Sequence, residues 1–168
     1  MKIIYANEYD SFIMSYRINA ENAARYGKLD ALKGMCENKF RLSKSRNRLF
    51  RIAVTYGHLE VAVFLKSIYK IYKLNQYVPI ACENGHLPLV KFLHEKGASL
   101  RTGSNLSLII SEENNQYEII LYLLENGADH WVMEMSKPGT KEKLNMESVK
   151  ALIREKIEKE QEEAEEED

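Results

Sequence analysis

Ala81-Cys82-Glu83-Asn84-Gly85-His86-Leu87-Pro88-Leu89-Val90-Lys91-Phe92-Leu93-His94-Glu95-Lys96-Gly97-Ala98 decides how this chain folds. Leu89/Val90 and Phe92/Leu93 stand 4, 5, 7 and 8 residues past Gly85, a spacing that forms one apolar helix face. Gly85 closes a preceding helix, because only glycine enters the left-handed region without a steric penalty. Pro88 falls in the first turn of the next helix, where its missing N–H costs nothing. A second glycine, Gly97, closes that helix.

The same phrase recurs on both sides. Gly27-Lys28-Leu29-Asp30, Gly57-His58-Leu59-Glu60, Gly85-His86-Leu87-Pro88 and an altered Asn115-Gln116-Tyr117-Glu118 stand at intervals of 30 (27 to 57), 28 (57 to 85) and 30 (85 to 115). Four residues ahead of each sits a small residue: Ala23, Ala53, Ala81, Ser111. Apolar pairs follow each phrase: Ala31/Leu32, Val61/Ala62, Leu89/Val90, Ile119/Ile120. A fixed period of this length marks a stack of small helix-turn-helix units. Each unit is expected to hold a short helix ending at the glycine and a longer one after it, with Leu59 and Leu87 as buried plugs at the turn.

The stretch from Ala81 to Ala98 resembles the ankyrin repeat; Ala53–Leu65 and Ile119–Asp129 match it more weakly. The resemblance covers roughly residues 19–133 and implies an all-α solenoid of about four units: 19–47, 48–75, 76–105 and 106–133. It also implies a structural place for His58 and His86, and recognition of a protein partner by the concave face and interunit loops. The family's Thr-Pro-Leu-His opening is absent; Arg48-Leu49-Phe50-Arg51 and Gln76-Tyr77-Val78-Pro79 stand in its place. The periods fall short of the usual 33 residues, so the fingers between units are expected to be trimmed. Such divergent arrays resemble those of giant DNA viruses, amoebal parasites and intracellular bacteria.

An array needs capped ends. Tyr9, Phe12, Ile13 and Tyr16 predict a capping helix over 8–18, within an N-terminal segment 1–18. Val149, Leu152, Ile153 and Ile157, with Asn145 placed to cap them, predict a capping half-repeat within 134–159 after a Lys137–Lys141 loop. Residues 160–168 read as an acidic disordered tail. Segment 154–168 carries three bases against eight Glu and one Asp, a net of −6, so the rest of the chain is +5 within the overall −1.

Lys39, Arg41, Lys44, Arg46, Arg48 and Arg51 form a basic stretch free of acids. It fits an acidic protein surface or, second, nucleic acid; a decoy role for the acidic tail, occupying the basic site of a nucleic-acid enzyme, is the third reading. Tyr69, Ile71, Tyr72 and Leu74 stand where other units have Gly-Ala and either fill that space or, for Tyr72 together with Tyr77, leave anchors on the concave face, since Tyr and Arg are favoured hot-spot residues. Trp131 reads as a plug between the array and its cap. The expected partner-binding residues are Arg46, Arg48, Arg51, Tyr72, Tyr77, Arg101 and Asn105. Cys36 and Cys82 read as core thiols. No motif for phosphate binding, nucleophilic catalysis or a metal cluster is found in the sequence, so the expectation is a non-enzymatic, cofactor-free, intracellular monomer in the cytoplasm or nucleus, with no membrane-spanning segment.

Overall fold

The computed structural model describes residues 18–37, 42, 45–128 and 146–166. The expected N-terminal capping helix, Lys39, Arg41, Lys44, Trp131, Asn145 and the 137–141 loop lie outside them, apart from Ile18. Among the described residues the secondary structure is entirely helical. The chain divides after Lys73 into two compact units. The first holds α1 (residues 18–25), α2 (Leu29–Glu37), α3 (Arg46–Thr55) and α4 (Leu59–Ile68). The second holds a 3-10 turn (Leu74–Tyr77), α5 (Val78–Glu83), α6 (Leu87–Glu95), α7 (Thr102–Glu113), α8 (Tyr117–Glu125) and α9 (Met146–Glu166).

Within each unit the helices pair as the sequence pattern requires. The helix preceding the Gly phrase packs on the first helix of the next repeat, as α5 does on α7, and the following helices stack likewise, α2 on α4 and α6 on α8. The buried side chains are those of the apolar pairs: Val61, Ala62 and Leu65 in the first unit, and Leu89, Val90, Leu93, Ile119, Ile120 and Leu123 in the second. The first helix is the shorter one in the third repeat, with 6 residues in α5 against 9 in α6; in the second repeat α3 and α4 both have 10, and in the fourth α7 has 12 against 9 in α8. Helices α3 and α7 begin at Arg46 and Thr102, ahead of the unit boundaries read at 48 and 106.

The last three phrases close their helices with the same pair of backbone bonds. In the second repeat the Gly57 amide donates to the Val54 carbonyl at 3.4 Å and the His58 amide to the Ala53 carbonyl at 2.9 Å. This is the Schellman pattern, and it needs a left-handed residue at the phrase's first position. Gly57 has φ +79° and Gly85 +71°, and Asn115 takes the same place at +53°. Asn visits this region more readily than other non-glycine residues, which is why the altered phrase still turns.

The small residue four positions earlier is the acceptor of the bond with the wider sequence span: Ala23, Ala53, Ala81 and Ser111 accept from Lys28, His58, His86 and Gln116 at 2.8–2.9 Å. A following bond of 3.0 Å from the Leu59 amide to the Gly57 carbonyl, with His58 at φ −85° and ψ 81°, makes an inverse γ-turn into the next helix. His86 and Gln116 repeat it.

The turn leucines are half-buried rather than buried. Leu59 and Leu87 are the first helical residues, at the corner of the turn; the core stripe starts two residues later. The acidic end also departs from expectation. Helix α9 continues to Glu166 instead of stopping near 159. Glu is a good helix former, and a 2.7 Å Lys159–Glu155 ion pair at i, i+4 supports the turn where the helix was expected to end.

Candidate partner-binding surfaces

The exposed side of the first helices carries the arginines. The core face of α3 is Leu49, Phe50, Ala53 and Val54. Helical spacing then leaves Arg48 and Arg51, three apart, on the outward face, and both are exposed. Arg46, nearer the helix start, is half-buried. Arg48 is bound to Glu21 of α1 across 2.8 Å, with the guanidinium side chain still 60 % exposed. Glu21 and Ile18 occupy on α1 the places that Arg51 and Arg48 occupy on α3, and Ile18 is exposed as well. The outward face of α1 and α3 thus combines cations with an exposed aliphatic residue.

The Tyr-rich stretch after α4 separates into two fates. Tyr72 is 61 % exposed. Tyr77 is not available as an anchor: it is 3 % exposed. It closes the 3-10 turn Leu74–Tyr77, whose three-residue period places Tyr77 above Leu74 on one side, and both face the core with Ile71 close to them in sequence. Tyr69 is half-buried, and its hydroxyl lies 3.9 Å from the Cys36 thiol. Burial, with the Cys36 contact adding to it, pushes the Tyr69 phenol up to about 12.

Arg101 is exposed and also holds scaffold. Its Nε donates to the carbonyl of Gly127, the residue that closes α8, so the guanidinium ties one repeat's loop to the next repeat's end. The backbone amide of Ser99 donates to Asn75 Oδ1 at 2.9 Å, fastening the same loop to the 3-10 turn. Asn105 lies within α7 rather than in a loop. None of the N-caps Ser45, Tyr77 and Arg101 makes a side-chain capping bond, so the hydrogen bonds of the missing Thr-Pro-Leu-His opening are not rebuilt at these caps.

Sequence reasoning overlooked two exposed tyrosines. Tyr26 and Tyr56 precede Gly27 and Gly57 and are 65 % and 46 % exposed. The Arg25 guanidinium stacks over the Tyr56 ring at 5.3 Å. In the second unit the equivalent residues are Asn84 and Asn114, whose amides donate to the Ile80 and Ile110 carbonyls, each at 2.8 Å. The signal was present as the residue before each turn changes from Tyr, Tyr to Asn, Asn.

Residues 75–134 match the family model of ankyrin repeats in three copies. Residues 75–134 thus carry ankyrin repeats. It is similar to two ankyrin repeat proteins of Acanthamoeba polyphaga mimivirus: 33 % identical to one over 105 residues, 61 % of this chain and 16 % of that protein, and 29 % identical to the other over 90 residues, 52 % of this chain and 23 % of that protein. The chain therefore spans less than a quarter of the length of either relative. Ankyrin repeats are in general protein-interaction modules without enzymatic chemistry. Among the described residues no helix is long and apolar enough to cross a membrane, and no group of His, Cys, Asp and Glu is placed to hold a metal ion.

Cys82 shows how little chemistry the interior of this ankyrin array offers. Its thiol lies beside Ser107 and Ser111, buried residues of α7, and Ser111 Oγ is already committed to the Ser107 carbonyl at 2.7 Å. The two hydroxyls favour the thiolate, but burial dominates and pushes the thiol from 9.0 up to about 11. In native protein at pH 8, a disulfide reagent is therefore expected to modify Cys36, which is half-buried, well before Cys82, which should react only on unfolding. The native state holds the Cys82 proton more tightly than the unfolded chain. This group's contribution to stability is therefore intact below about 9 and is lost as pH rises toward about 11. Rapid modification of both thiols in the folded protein would contradict this.

Proposed function

We propose that this chain is an adaptor or inhibitor that docks a protein partner through the outward face of its first helices and the adjoining loops, with Arg46, Arg48, Arg51 and Tyr72 as the contact residues. The observation that carries the reading is the α3 face, where Arg48 and Arg51 are exposed and Arg48 reaches Glu21 of α1. Arginine suits such a role because its planar fork makes paired hydrogen bonds to carboxylates. Glu21 fixes the Arg48 guanidinium in advance, so less side-chain freedom is lost on docking. The partner is then an acidic protein surface, met as a monomer in the cytoplasm. Arg101, which is exposed, and Asn105, by its place early in α7, are kept as peripheral contacts; Tyr77 is assigned to the scaffold.

Arg48→Glu with Arg51→Glu should abolish retention of a partner protein from amoebal extract while leaving the helical circular dichroism unchanged. The reversed charges face like charges on the partner, which costs several kcal/mol. Equal retention by wild type and double variant would remove this face from the interface. Retention of unrelated nucleic acids that weakens steeply with salt would favour the nucleic-acid reading instead.

A further inference from the structure

The second unit carries another surface, independent of the α3 arginines. Helix α9 is anchored by its first half: Ile153 is fully buried, Arg154 pairs with Glu125 at 3.0 Å, and the Lys156 ammonium sits 4.7 Å over the Tyr117 ring. Beyond this, the helix leaves a cleft of about 280 Å³ between itself and the turns of the third and fourth repeats. Ile157, Gln161 and Ala164, spaced 4 and 3 apart on one helix face, line one wall. Leu87 and Ile119 line the other, with Glu118 at its edge.

The walls of the cleft are partly apolar and its surroundings are strongly negative. Residues 157–166 hold six Glu against Lys159 alone. Of the nearby cations, Lys159 is paired with Glu155, and Lys156 is engaged with Tyr117. We propose that this cleft is a docking groove for a Lys- or Arg-rich segment of a partner protein. The aliphatic stems of such side chains fit against Ile157, Leu87 and Ala164, while their charged heads reach Glu118, Glu158 and the acidic helix end. Charge complementarity selects this occupant: an acidic peptide would be repelled, and an apolar one would leave the carboxylates unmatched.

The test is fluorescence anisotropy of the full chain with a labelled Lys/Arg-rich peptide and with its Glu-substituted counterpart. The basic peptide should bind, more weakly as salt is raised, and the acidic one should not. Ala164→Trp, a change at an exposed helical position, fills the cleft and should weaken binding about tenfold or more. Glu118→Lys with Glu158→Lys should do the same, whereas Glu163→Lys, whose helical position turns away from the cleft, should change it little. Circular dichroism confirms that each variant is folded. Three results would overturn the proposal: no binding of the basic peptide; equal weakening by Glu163→Lys and by Glu118→Lys alone, with Ala164→Trp harmless; or a concentration-dependent dimer abolished by Ala164→Trp, which would make a second copy of this chain the occupant.

Discussion

Leu89→Ala is expected to lower stability by about 2–5 kcal/mol, the range for truncating a fully buried leucine. Leu89 lies in the first turn of α6 and is fully buried with Val90 and Leu93. Removing three carbon atoms leaves a cavity that the stacked helices α5, α6 and α8 can close only in part. The informative comparison is Leu87→Ala, two residues away in the same helix. Leu87 is half-buried, so its truncation should cost about 1 kcal/mol, since much of the side chain already meets water. Urea unfolding followed by circular dichroism would show the difference as a shift in midpoint at similar slope. Equal costs for the two substitutions would mean that the core stripe has been misplaced along α6.

Gly27→Ala is expected to cost about 2–3 kcal/mol, more than the same change at Gly97. Gly27 has φ +65°, a conformation that costs a non-glycine residue about 1–2 kcal/mol. An added Cβ would also lie 2.6 Å from His58 Nδ1. The ring cannot yield freely, because His58 Nε2 donates to the Arg25 carbonyl at 2.7 Å. Displacing it loses a hydrogen bond worth about 0.5–1.5 kcal/mol. Gly97 has φ +91° but open space where a Cβ would stand, so Gly97→Ala should show the backbone cost alone, about 1–2 kcal/mol. A double-mutant cycle isolates the contact: in a His58→Ala background, Gly27→Ala should fall to the Gly97 value. A cost at Gly27 that is unchanged by His58→Ala would show that only the dihedral angle matters.

What could be read from the residues, and what could not, divides along a physical line. The glycines were legible because their requirement is local: a positive φ is a property of one residue, and Asn115 met it as the next most tolerant type. The apolar pairs were legible because helical period alone decides which face they share. Tyr77 was not, because its fate depends on a 3-10 turn whose three-residue period brings it over Leu74, and a short turn leaves no periodic trace. The bond from Arg101 to the Gly127 carbonyl was not legible for a similar reason: it joins residues one repeat apart. The acidic end was read from its charge, which opposes packing, whereas the helical propensity of Glu and the Lys159–Glu155 pair carry the helix onward without packing. Of the expected contact residues, those whose exposure follows from helix register, Arg48 and Arg51, were the ones that could be placed in advance.

The contact between Gly27 and His58 has a counterpart between Gly85 and Gln116, where an added Cβ would meet the Gln116 side chain at 2.7 Å. In both cases the residue after one turn seats on the glycine of the turn before it, 31 positions earlier. This works as a socket and plug, and it fixes the pitch between these neighbouring repeats at the turn end. At the opposite end the third and fourth repeats are tied again, by Arg101 on the Gly127 carbonyl. A loop that keeps such a tie can change length elsewhere and leave the turn-end register intact. A repeat copied with its whole phrase would arrive already fitted to both neighbours, so an array of this kind can grow, shrink and reshape its contact loops without relearning how to stack.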